Sequence, residues 1–168
     1  VRKDSTELRR IGVNLLGIET ARTFLDGSGS GTIISAGNGV SSFISNFTFT
    51  NASVGIQVLD NSAGASIYIT NNVFVVGPTG TAITVQNSAE TTILNNTFYD
   101  NGTAVSRDAD IPIVNNIFPS NLTAIYDSSL AETLTEYNFF SRNTTTGLMG
   151  LPVVTGEKPL FVDPTAQD

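Results

Sequence analysis

Four side chains in this sequence could bring carboxylate and cation chemistry together: Arg107, Asp108 and Asp110 in one short run, and Asp127 further along. Oxygen ligands drawn from several turns suit calcium. Asp108, Asp110 and Asp127 are therefore the candidate metal ligands, and Asp60 falls at an earlier turn of the same kind. With the arginine beside them, Arg107, Asp108 and Asp110 are the candidate catalytic groups of a calcium-assisted polysaccharide lyase or glycoside hydrolase. A lyase needs a base plus a cation at the enolate; a hydrolase needs two carboxyl groups across the scissile bond. The plainer alternative is a set of solvated turn aspartates, which form Asx-turns and keep a chain soluble. Turn chemistry alone accounts for them, so the expected catalytic set is empty and calcium is the one cofactor left open.

The rest of the composition removes other chemistries. With no histidine, a Ser-His-Asp triad, a histidine general base and imidazole metal sites are excluded. With no cysteine, disulfides, thiolate catalysis and sulfur-ligated zinc are excluded. Net charge is −7, and of the eight basic residues Arg2, Lys3, Arg9 and Arg10 crowd the amino end. No basic stripe could follow a phosphate backbone, so no nucleic-acid partner is expected. An acidic polysaccharide would be repelled unless calcium bridged the like charges. Apolar runs are far short of a membrane span, so no membrane insertion is expected.

The elements that must position these residues announce themselves by repetition. Ile44-Ser-Asn-Phe-Thr-Phe49, Ile69-Thr-Asn-Asn-Val-Phe74, Ile93-Leu-Asn-Asn-Thr-Phe98 and Ile113-Val-Asn-Asn-Ile-Phe118 share the form Ile-x-Asn-x-x-Phe. Thr135-Glu-Tyr-Asn-Phe-Phe140 keeps an Asn and the final Phe, and successive final Phe residues lie 25, 24, 20 and 22 positions apart. A period of this length means a stacked, quasi-one-dimensional architecture. Each copy divides into three short β-branched segments separated by Asn, Asp or Gly, which suits a coil of three strands, each pairing with its equivalent one coil away. After each Phe comes a small residue and a branched one: Gly55-Ile56, Ala82-Ile83, Ala104-Val105 and Ala124-Ile125. The spacing predicts one internal ladder of Phe49, Phe74, Phe98, Phe118 and Phe140 and a second of Ile56, Ile83, Val105 and Ile125. Asn72, Asn96, Asn116 and Asn138 are expected at the bends, tolerating left-handed backbone angles and stacking their amides between coils.

These motifs resemble right-handed parallel β-helix proteins of the pectate-lyase-like superfamily, in the divergent bacterial branch with Ile-x-Asn-Asn-x-Phe and Ala-Ile repeats. Thr23-Phe-Leu-Asp-Gly27 and Gly31-Thr-Ile-Ile34 look like its early coils. Tyr137-Asn-Phe-Phe140 and Pro159-Leu-Phe-Val-Asp-Pro164 look like its closing segment. The expected fold is all-β, a right-handed single-stranded parallel β-helix of about six coils. Residues 1–17 are read as an N-terminal cap, 18–140 as coils, and 141–168 as a tail packing on the solenoid. The whole is read as one domain, and either as a fragment of a longer protein or as a piece that caps itself by dimerising at its ends.

The resemblance also implies where a polysaccharide would lie: along the outer face of the Gly/Ala-Ile/Val strands. If Ile56, Ile83, Val105 and Ile125 point inward, Gln57, Thr84, Ser106 and Tyr126 point outward and are the candidate ligand-binding stripe. It carries no carboxylate, lysine or arginine, and the catalytic motifs of polygalacturonases and pectate lyases are missing. The implied function is a non-catalytic or carbohydrate-binding scaffold of a secreted or surface bacterial protein, with a polysaccharide or a surface protein as partner. The alternative is the divergent calcium-assisted enzyme. Val73, Val75, Leu94, Tyr99, Val114 and Ile117 fall on outer faces, where an apolar patch calls for a cover. The tail Leu148–Phe161 and a homo-oligomeric contact compete for that role.

Overall fold

In a computed structural model of the chain, residues 6–7, 13–17, 23–37, 39, 41–59, 64–87, 90–128, 135–147 and 154–155 are described. Three parallel sheets stack as a β-solenoid of about five turns, with no helix among the described residues. Each repeat contributes one strand to each sheet in turn. The first sheet holds Val13–Leu16, Ser42–Ser45, Ile67–Thr70, Thr91–Leu94, Ile113–Val114 and Thr135–Glu136. The second holds Phe24–Asp26, Thr48–Thr50, Val73–Val75, Thr97–Phe98, Ile117–Pro119, Phe139–Ser141 and Val154–Thr155. The third holds Thr6–Glu7, Thr32–Ala36, Val54–Val58, Thr81–Val85, Thr103–Arg107 and Thr123–Asp127.

Parallel pairing in register turns each sequence spacing into a column, with successive rungs roughly 4.8 Å apart. Phe49, Phe74, Phe98, Phe118 and Phe140 form one internal column with ring centroids 4.7, 5.0, 4.8 and 4.9 Å apart and planes within 8° of parallel. Ile34, Ile56, Ile83, Val105 and Ile125 form another, in register and buried. Ile44, Ile69, Ile93 and Ile113 line the first sheet's inner side. Each such side chain contributes about 1.5–3 kcal/mol by burial. The residue before each branched one must be small because the Phe column lies close behind it. A Cβ on Gly55 would sit 3.3 Å from the Phe74 ring and 2.6 Å from the Ala82 carbonyl oxygen.

The two tasks assigned to one asparagine are divided between two neighbours. Asn46, Asn71, Asn95 and Asn115, two residues after the Ile of each copy, hold φ between 55° and 64° at the corner between the first and second sheets. Asn72, Asn96 and Asn116, each following one of these, and Asn138, following Tyr137, are buried and form the ladder. Each lower Asn donates its backbone N–H and its amide Nδ2 to the Oδ1 of the Asn one coil on, at 2.8–3.2 Å. Each Nδ2 also reaches back to a carbonyl of the preceding coil, as Asn96 does to Ile69 at 2.8 Å. In the last copy the left-handed corner falls on Tyr137, φ 56°, whose side chain is 77% exposed. A left-handed angle costs an ordinary residue roughly 1–2 kcal/mol. Tyr137→Asn therefore raises stability by about 1 kcal/mol, read as a higher urea midpoint at unchanged slope.

The stack extends beyond residues 18–140. Thr6–Glu7 and Val13–Leu16, inside the segment expected as a cap, pair as rungs with Ile34-Ser35 and Ser42–Ser45. Val154–Thr155, inside the expected tail, stacks on Phe139-Phe140 as another rung of the second sheet. Thr145 bridges Thr123 on the third. Apart from Gly17, the other residues of 1–17 and of the tail from 148 onward lie outside the described residues.

Candidate functional site

The third sheet has the longest regular strands, and its pattern of burial repeats. In Thr81–Val85 and Thr103–Arg107 the second, third and fifth residues are buried and the first and fourth half-buried. Two columns consequently face outward. One runs Thr32, Val54, Thr81, Thr103, Thr123 and Thr145. The other runs Ser35, Gln57, Thr84, Ser106 and Tyr126. The four residues expected as a stripe, Gln57, Thr84, Ser106 and Tyr126, are thus direct cross-strand neighbours on consecutive coils. Tyr126 is 57% exposed, with Leu122, 56% exposed, on the same coil. Over the five rungs from Ser35 to Tyr126 the column holds hydroxyls, one amide and one phenol, and no charge. The threonine column escaped sequence reasoning, although the signal was present as Thr-Ala-Ile, Thr-Ala-Val and Thr-Ala-Ile at residues 81, 103 and 123.

Arg107 and Asp127 do not stand on a turn. They are the fifth residues of their strands, in register with each other and with Ala36, Val58 and Val85, so their side chains enter the inner column. Arg107 is 1% exposed. Its Nη2 pairs with Asp127 Oδ2, and its Nη1 donates to the Ile111 carbonyl at 3.2 Å. An arginine held inside the wall cannot reach a substrate on the outer face. Asp108 does lie beyond the strand, and its Oδ1 accepts the Asn87 backbone N–H at 2.6 Å across one coil. Asp110 is exposed. Asp108, Asp110 and Asp127 are not brought together: among the described residues no group of three or more acidic side chains is placed to hold a metal ion. The remaining candidate, Asp60, lies outside the described residues.

A second asparagine ladder also escaped sequence reasoning. Asn101, Asn121 and Asn143 stack at the corner between the second and third sheets. Each Nδ2 donates to the next Oδ1, at 2.9 Å and 3.0 Å, and back to Phe74, Phe98 and Phe118 carbonyls. Its signal is Phe-x-x-Asn, read at Phe98, Phe118 and Phe140. Three of the chain's Asn-x-Ser/Thr sequences, those at Asn101, Asn121 and Asn143, are therefore part of this wall.

On the outer faces of the first and second sheets Val73, Val75, Leu94, Val114 and Ile117 are half-buried and Tyr99 is exposed. No helix among the described residues is long and apolar enough to cross a membrane. By architecture the chain is a three-sheet parallel β-solenoid. Compared with known protein families, with curated proteins and with solved structures, it finds no match in any of the three.

Proposed function

We propose that this chain is a carbohydrate-binding β-solenoid scaffold with no catalysis of its own, from a secreted or surface bacterial protein. The observation that carries this reading is the pair of outward columns on the third sheet, in register and without charge over the five coils from Thr32 and Ser35 to Thr123 and exposed Tyr126. Hydroxyls and amides at a fixed repeat match a chain that itself repeats hydroxyls, and an exposed aromatic ring offers an apolar platform for a sugar face. An uncharged stripe on a protein of net charge −7 favours a neutral glycan over a polyuronate. The resemblance of the repeats to the pectate-lyase-like superfamily supports the same face. The inward Arg107–Asp127 pair takes the two strands' one arginine and one aspartate off the outward columns, which supports binding without lyase or hydrolase chemistry.

Affinity electrophoresis through a panel of neutral and acidic polysaccharides, with and without calcium, tests this. Retardation by at least one neutral glycan, independent of calcium, is expected. Tyr126→Ala and the pair Thr84→Val with Ser106→Ala should each weaken it about tenfold, equivalent to about 1.4 kcal/mol. Release of reducing or unsaturated sugars in calcium would overturn the scaffold reading in favour of an enzyme. Absence of retardation across the panel would leave a spacer without a ligand.

A further inference from the structure

Asn101-Gly102 combines the sequence most prone to spontaneous deamidation with a site where the fold opposes every step of that reaction. The reaction begins when the backbone nitrogen of the glycine loses its proton and attacks the asparagine Cγ. The C–Nδ2 bond breaks, ammonia leaves and a five-membered succinimide forms. Water then opens the ring at either carbonyl, giving aspartate or isoaspartate; the balance is one water in and one ammonia out, with no change of oxidation state. In the folded chain the Gly102 N–H donates to the Gly77 carbonyl at 3.0 Å. Asn101 is 1% exposed, its Oδ1 accepts the Val76 N–H at 2.8 Å, and its Nδ2 donates to Phe74 O at 3.1 Å and Asn121 Oδ1 at 2.9 Å. Swinging Cγ toward Gly102 N breaks these bonds together. Gly102 has little room to move, since even a Cβ there would meet the Pro78 and Gly80 carbonyl oxygens at 2.7 and 2.9 Å.

We propose that Asn101-Gly102 is a modification site closed by folding: it deamidates only when the coil opens, and its conversion then opposes the coil's closing again. The second half follows from what the product would meet. An Asp in this place sets a carboxylate oxygen against Phe74 O and Asn121 Oδ1, acceptor against acceptors, and buries a charge. Isoaspartate adds a backbone atom to a rung whose neighbours are in register on both sides.

The test incubates the folded protein and the urea-unfolded protein in the same mildly alkaline buffer and follows the one-dalton gain by peptide mass spectrometry. Asn38-Gly39, the other Asn-Gly in the sequence, calibrates the chemistry in the unfolded chain. Conversion at Asn101 is expected to be about a thousandfold or more slower in the folded protein, following the fraction of molecules open. Suppression of less than about tenfold would overturn closure by the fold, because it corresponds to a site open in much of the population. Converted chains, separated by their added negative charge, are then returned to native buffer beside Asn101→Asp. Failure to refold, or a lowered melt, is expected for both. Recovery of the native melting curve by either would overturn the second half.

Discussion

Asn96→Ala is expected to lower the unfolding free energy by about 3–5 kcal/mol, among the largest losses a single exposed-to-none polar side chain can cause here. Asn96 Oδ1 is the acceptor for both the Asn72 backbone N–H and Asn72 Nδ2, at 2.9 and 3.2 Å. Its own Nδ2 donates to Ile69 O, Leu94 O and Asn116 Oδ1. Truncation to alanine leaves the Asn72 N–H buried without that acceptor and strips a donor from Ile69 O. A buried group left unsatisfied costs about 1–3 kcal/mol, and the remaining lost bonds add about 0.5–1.5 kcal/mol each. Asn95→Ala, one residue earlier, removes an exposed side chain and leaves mainly the left-handed angle, about 1 kcal/mol. Asn96→Asp keeps the shape and the acceptors but loses both donated hydrogens and buries a charge, so it should be no milder than alanine. Urea unfolding of the three variants checks the ranking. Asn96→Ala within about 1 kcal/mol of the parent would mean that the ladder is ornamental.

The contrast between adjacent asparagines also shows what the sequence makes legible. In a solenoid each side chain answers chiefly to the rung above and the rung below, so a spacing along the chain becomes a contact in space. Phe49 to Phe140 and Ile56 to Ile125 are readable for that reason, as is the stripe of Gln57, Thr84, Ser106 and Tyr126 once the inward residues are known. The pair Asn95-Asn96 is ambiguous in sequence, because asparagine suits both a left-handed corner and a stacked amide; only the backbone angles and burial separate the roles. The 107–110 run misleads for a different reason. Charge is an argument for the surface, whereas strand position is an argument for the core. Thr103–Arg107 is five residues long with its fifth residue facing in, and the register is what settles Arg107. Asp108 and Asp110 lie exposed past the strand's end, and a set of metal ligands would have needed Asp127 to stand outside with them.

Asp127→Ala is expected to destabilise the protein by about 3–5 kcal/mol, the cost of leaving a buried charge without its partner. The inner column it shares begins Ala36, Val58, Val85 and then turns to Arg107 and Asp127. The Arg107 side chain is fully buried and that of Asp127 is 11% exposed, so solvent does little to screen the loss. Continuing the apolar column should reverse it: Arg107→Val combined with Asp127→Val removes both charges and gives Val85 the neighbours that Val58 already gives it. Replacing a buried ion pair by packed apolar groups is commonly neutral or stabilising by about 1–4 kcal/mol. Here the Ile111 carbonyl also loses the Arg107 donor, about 1 kcal/mol, so the double variant should fall near the parent. The cycle of two single variants and the double, measured by urea unfolding, separates a structural pair from a functional one. A double variant as unstable as Asp127→Ala would sink the column account. If instead the double variant keeps the parent's stability and its glycan retardation, these residues are wall rather than site, and recognition rests on the outward columns alone.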